Sequence, residues 1–225
     1  MALILNLETA TKVCSVSLAQ NGAELFTKEI STEQFSHAEN LNVFIEDVMK
    51  SAGKKLEELG AIAVSEGPGS YTGLRIGTST AKGLCYALDI PLIAINSLKS
   101  LAALVETDCD LICPMFDAMR MEVYAAVYDT SIKEIQKTEA IVIDENSFST
   151  FLADRKILFV GPGAEKCKGL IAHPNARFNT DLKVSAKGMI RLSAEKFSAN
   201  DFVDVAYFEP FYLKDFVAGK KKSLL

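Results

Sequence analysis

The 225-residue sequence predicts an α/β fold of two lobes, each a mixed sheet with helices, and three observations carry that prediction. Residues 1–104 read as three strands followed by alternating helices and strands. Residues 105–204 repeat this order with little shared sequence, a weak echo by self-similarity. In each half a buried strand runs into a glycine turn, GPGSYTG in the first and GPGA in the second.

Periodicity justifies the elements in turn. LILNLE is a short apolar run, Glu8-Thr9-Ala10-Thr11 a polar turn, and Val13 to Leu18 an alternating second strand. Asn21-Gly22 is the residue pair that two-residue hairpins favour, so AELFTKEI follows as a third strand. From Thr32 to Ala52 apolar residues recur at threes and fours (Phe35, Ala38, Leu41, Ile45, Val48, Ala52), which predicts a helix capped by Ser31 or Thr32 and ended by Gly53. Ala61 to Ser65 reads as a buried strand, Thr72 to Leu88 as a second helix, and IPLIAINSLKSLAAL as a strand with its helix.

In the second half, DLICPMFDAMRMEVYAAVYD gives two strands about a polar turn at Asp117 to Arg120. SIKEIQKTEAIVI is a third strand, SFSTFLAD a helix, ILFVGPGA a strand entering Gly161 and Gly163, and SAKGMIRLSAEKFSAN a helix. Residues 205–225 form a C-terminal segment expected to pack back on the first lobe. This order is that of an actin-like, sugar-kinase-like fold, whose two halves face each other across a cleft.

Composition narrows the function classes. A net charge of −5 argues against nucleic-acid binding through a general basic field, and Lys220, Lys221 and Lys222 read as a solvated chain end. No apolar run reaches the ~18 residues that a membrane span needs. A cytoplasmic protein is therefore expected. Five cysteines without CxxC spacing fit buried thiols in a reducing compartment better than disulfides or a zinc site.

The first turn sits where nucleotide-binding members of the fold place a carboxylate and phosphate-binding hydroxyls. Glu8, Thr9 and Thr11 occupy it, with Asp117 at the corresponding turn of the second half, and these with Gly161 and Gly163 outline a vestigial nucleotide cleft. Polar turn residues also need no ligand. The stretch SEGPGSYTGLRIG lacks the Lys-Ser or Lys-Thr pair of a phosphate loop. Gly73, Gly77 and Ala81, spaced at fours, make a small-residue helix face that lets another backbone approach, either within the chain or in a partner. With Phe35, Ala38, Leu41 and Ile45 of the first helix they define a candidate partner interface. There is no GxSxG, and the residue four after His37 is Leu41, so no helical metal pair forms there. No metal and no cofactor are expected.

LETATKVCSVSL, SHAENL, SEGPGSYTGLRIG, DAMRMEVYAAVY, VGPGA and EPFYLKD, in that order, resemble the TsaB (YeaZ) family of bacterial tRNA modification over nearly the whole chain. The resemblance implies a two-lobed actin-like fold without catalysis of its own. It implies support of the metal-bearing paralogue TsaD, which transfers threonylcarbamoyl to N6 of adenosine 37 in tRNAs reading codons that start with A. A TsaE-type ATPase joins that assembly, tRNA is met only through the complex, and the isolated chain is expected to be a homodimer. His37 aligns with the paralogue's first metal-ligand histidine and Leu41 replaces the second. Glu8 stands for the family's usual Asp, and Pro210 to Lys214 for its usual PvYLR ending. An ATPase or phosphotransferase using Glu8, Thr9, Thr11 and Asp117 is the alternative reading, and glycoprotease-like hydrolase is the older name for such chains.

Overall fold

A computed structural model of the chain describes residues 2–32 and 36–214. Phe35 and Lys220 to Lys222 lie outside the described residues. Strands β1 (Leu3–Glu8), β2 (Val13–Gln20), β3 (Ala23–Ser31), β4 (Ala61–Gly67) and β5 (Leu92–Asn96) form one sheet in the order β3-β2-β1-β4-β5. Strands β6 (Leu111–Asp117), β7 (Glu122–Asp129), β8 (Glu134–Val142), β9 (Ile157–Val160) and β10 (Ala176–Asn179) form the other in the order β10-β9-β6-β7-β8. In both sheets the first three strands run antiparallel and the last two join in parallel. The two halves therefore share one topology.

Local chemistry sets the element ends. Asn21 and Gly22 take φ of 54° and 79°, the positive values their hairpin needs. Helix α1 (His37–Ser51) begins later than its periodicity suggests, after Ser36, and ends at Gly53, whose φ is +62°. Helix α2 (Tyr71–Leu88) is capped by Ser70, whose hydroxyl accepts the Gly73 N–H at 3.2 Å.

β1 is buried on both faces. Leu3, Leu5 and Leu7 pack with Leu41, Ile45 and Val48 of α1 and with Ala81 and Cys85 of α2. Ile4, on the opposite face, joins a core that spans the two lobes. Helix α3 (Ser97–Ala102), which belongs in sequence to the first half, packs on β6 and β7 of the second sheet. Helix α5 (Ile190–Ser198) reciprocates by packing on β1 and β5 of the first. Gly188, in the 3-10 turn before α5, makes the crossing possible: a Cβ there would stand 2.1 Å from the Ser100 carbonyl oxygen. A third core holds Met115, Val123, Phe159 and Leu152 of the short helix α4 (Ser149–Leu152).

The chain after α5 returns across the first lobe. Val203 pairs with Leu92, and the Lys82 ammonium donates to the Ala206 and Phe208 carbonyls at 3.0 and 3.1 Å. The Phe211 N–H donates to the Glu66 carbonyl at 2.7 Å, Tyr212 lies 5.0 Å from Tyr71 ring to ring, and Lys214 ion-pairs with Glu122 of β7.

Candidate functional site

The polar turn after β1 is sealed. Glu8 and Thr9 are 0% exposed, and Thr11 is half-buried. The Ala10 N–H donates to Glu8 Oε1 at 2.7 Å, and the Thr9 N–H to Ser65 Oγ at 3.2 Å. Burial pushes the Glu8 carboxyl up from 4.5 to about 7; the hydrogen bonds from Ala10, Ser65 and Thr9 offset only part of the lost hydration. The cover is the glycine loop itself. Ser70 N–H donates to the Ala10 carbonyl at 2.7 Å, and a Cβ at Gly69 would lie 2.4 Å from that same oxygen.

The small-residue face of α2 completes the seal. A Cβ at Gly73 would lie 2.2 Å from the Thr9 carbonyl oxygen, and one at Gly77 would lie 2.3 Å from Thr9 Oγ1. Gly73, Gly77 and Ala81, together with Leu41 and Ile45, are buried in the chain's own core. This corrects the expectation that these residues present a face to a partner: their neighbours are the β1–β2 turn and the first sheet. Of that set only Ala38 is exposed among the described residues. The outer surfaces of the two helices carry other residues instead. α1 exposes Glu39, Asn42, Val43 (51%), Glu46 and Lys50, and α2 exposes Thr72, Arg75, Ser79, Gly83 and Tyr86 (85%), with Ile76 half-covered. Nothing lies within 4 Å of a Cβ built at Gly83.

The second-lobe residues are likewise engaged with the chain. Asp117 ion-pairs with Lys166 and accepts the Met119 N–H at 2.9 Å. Lys166 also donates to the carbonyls of Arg120, at 2.8 Å, and Glu122, and so ties down a turn in which Met119 and Arg120 both have positive φ. Gly161 has φ of +95°, and a Cβ there would meet Leu101 Cδ2 at 2.6 Å and the Met115 carbonyl oxygen at 2.9 Å. A Cβ at Gly163 would lie 2.7 Å from the Phe116 backbone. Both glycines serve close packing of β9 against β6 and α3.

His37 Nε2 lies 2.7 Å from the Thr11 carbonyl oxygen, so the imidazole clips the start of α1 to the first turn. Burial lowers its pKa, and the Thr11 contact partly opposes this. Leu41 is 1% exposed and points into the core. Among the described residues no three His, Cys, Asp or Glu side chains gather as a metal set, and no helix is long and apolar enough to cross a membrane.

All five cysteines are buried and free. Burial raises the Cys14 and Cys167 thiols to about 11 and Cys85 to about 12. A thiol reagent of the Ellman type is accordingly expected to label none of them in the native chain and all five in denaturant. Rapid native labelling of even one would contradict this packing.

Two five-stranded sheets of one topology, with helices exchanged between them, define the actin-like, sugar-kinase-like class of two-lobed folds. The activator of the 2-hydroxyisocaproyl-CoA dehydratase from Clostridium difficile, solved with bound ADPNP, shares that fold at a TM-score of 0.51 and 8% identity, over 90% of this chain and 98% of that one. Residues 30–222 match the sequence model of the family described as TsaD: tRNA N6-adenosine threonylcarbamoyltransferase. The Escherichia coli tRNA threonylcarbamoyladenosine biosynthesis protein TsaB is 28% identical over 231 residues, 97% of each chain. YeaZ from Pseudomonas aeruginosa superposes with a TM-score of 0.80 at 26% identity, over 95% of this chain and all of that one. The chain belongs to this family, on its TsaB (YeaZ) branch.

Proposed function

We propose that the chain is a non-catalytic scaffold that binds the TsaD paralogue and supports threonylcarbamoyl transfer to N6 of adenosine 37 of tRNAs reading codons that start with A. The observation that carries this reading is the sealed first turn. The side chains a nucleotide would need, Glu8 and Thr9, are fully buried, Glu8 Oε1 taking the Ala10 N–H and the Thr9 hydroxyl lying under the glycine face of α2. What α1 and α2 turn outward is instead a mixed polar and apolar surface: the small or apolar Ala38, Val43, Ile76 and Gly83 lie among Glu39, Asn42, Glu46 and Arg75. Small residues there allow two helices of a partner to approach closely. The same surface accounts for a homodimer in isolation, with the paralogue displacing the second copy. In this reading a TsaE-type ATPase joins the assembly, tRNA is reached through the complex, and the setting is the cytoplasm.

Gly83→Arg tests the proposal because its Cβ meets open space. The variant is expected to keep native circular dichroism and lose co-elution with the TsaD paralogue on a sizing column. Co-elution at wild-type strength would move the interface elsewhere. The purified chain is also expected to carry no stoichiometric zinc or iron, since His37 is turned onto Thr11 and Leu41 is in the core; about one tightly held metal ion per chain in elemental analysis would overturn that.

A further inference from the structure

Between the lobes, on the side away from α1 and α2, lies a cavity of about 230 Å³. Its floor is the end of β5, Ala94 to Asn96, and Leu192 and Lys196 of α5 form a wall. Four charged side chains border it, Glu66, Lys99, Glu195 and Lys196. The side chains of Glu66, from the end of β4, and Lys99, from the first turn of α3, make no hydrogen bond or ion pair with each other or with any other described residue. Their neighbours are already committed. Lys196 pairs with Asp201 at 3.0 Å, Glu195 with Arg191 at 2.8 Å, and the Asn96 side chain accepts the Leu98 and Lys99 N–H groups while donating to Thr138. Burial raises the Glu66 pKa, an effect that the Lys196 charge offsets in part.

We propose that this cavity binds a small zwitterionic α-amino acid, its ammonium on the Glu66 carboxylate and its carboxylate on the Lys99 ammonium. Burial strips hydration from the Glu66 carboxylate, and one ligand carrying both complementary charges can meet Glu66 and Lys99 together. The volume sets the size. At roughly 30 Å³ for each water's share of liquid, the space equals about eight waters, which is room for glycine, serine or threonine. Ala94, Ile95 and Leu192 give a short side chain an apolar surface. The binding step forms no covalent bond. It is independent of the paralogue-binding reading, because every measurement uses the isolated chain and residues remote from the outer surfaces of α1 and α2.

Amide spectra of the labelled full chain, titrated with glycine, L-serine and L-threonine, are expected to show saturable shifts at Ala94, Ile95 and Asn96. Propionate and ethylamine, each carrying one of the two charges, are expected to give at least about tenfold weaker binding, as are Glu66→Gln and Lys99→Met with L-threonine. No saturable shift at these amides with any of the three amino acids would overturn the proposal. So would shifts that survive both substitutions unchanged, or that propionate or ethylamine reproduces at the same concentration. The wild-type titration decides the matter if a substituted chain fails to fold.

Discussion

Gly73→Ala is expected to destabilise the chain by about 3 kcal/mol, the upper range for overpacking, while Gly83→Ala, ten residues along the same helix, is expected to stabilise it by about 1 kcal/mol. Both changes remove the entropic penalty of a helical glycine. They differ in what the new methyl meets. At Gly73 it would sit 2.2 Å from the Thr9 carbonyl oxygen, a backbone atom fixed between β1 and the Ala10 contacts, with the His37 ring 3.2 Å away on another side. At Gly83 it meets nothing within 4 Å. Gly77→Ala belongs between them, since its obstacle, Thr9 Oγ1 at 2.3 Å, is a side-chain atom that a rotamer change moves. Urea midpoints of the three variants check the order. Equal effects at Gly73 and Gly83 would mean that α2 does not rest on the first turn.

The second large effect is one of pH. The Glu8 carboxyl, ordinarily near 4.5, is raised to about 7 in the folded chain. Below 4.5 it is protonated both folded and unfolded, and its contribution is at its maximum. Between 4.5 and about 7 the unfolded chain releases the proton while the folded one keeps it, so stability falls as pH rises. Above about 7 both forms are ionised and the loss is complete. The interval of roughly 2.5 pH units at about 1.4 kcal/mol each gives a loss of about 3.5 kcal/mol. Glu8→Gln keeps an acceptor for the Ala10 N–H and carries no charge. It is expected to remove this slope and to exceed the wild type in stability at pH 8, read as urea midpoints from pH 4 to 8. Parallel pH profiles for the two chains would show that the carboxyl is not sealed.

Much of the fold is legible in the sequence because it is local. Asn21-Gly22 specifies its hairpin, Gly53 its helix end, and the period of apolar residues locates α1 and α2 to within a few residues, the start of α1 at His37 being the main slip. β10 has no signal in the sequence, since a four-residue segment, Ala-Arg-Phe-Asn, carries too little alternation; its Phe178 is fixed by stacking on Phe159 at 5.1 Å. The site was harder to read. Spacing identifies Gly73, Gly77 and Ala81 as one face but not what covers it, and the cover is Thr9, more than sixty residues away in the chain. The same holds for Glu66 and Lys99, which sit on separate elements and border a common cavity only after the sheets have been docked.

The exchange of α3 and α5 between the sheets reaches back to synthesis. The inner face of the first sheet, with Ile4, Ala61, Ala63, Ile93 and Ile95, is covered by Met189 and Leu192 together with Leu98 and Leu101 of α3. All five of its strands have left the ribosome nearly a hundred residues before the α5 cover exists. At translation speeds of roughly 5–20 residues per second the nascent first half carries this apolar face without its α5 cover for about 5–20 s. For that interval it is a client for holdases and is prone to pair with neighbouring chains. Synthesis slowed between residues 97 and 190 should therefore lower soluble yield more than the same delay placed after residue 200.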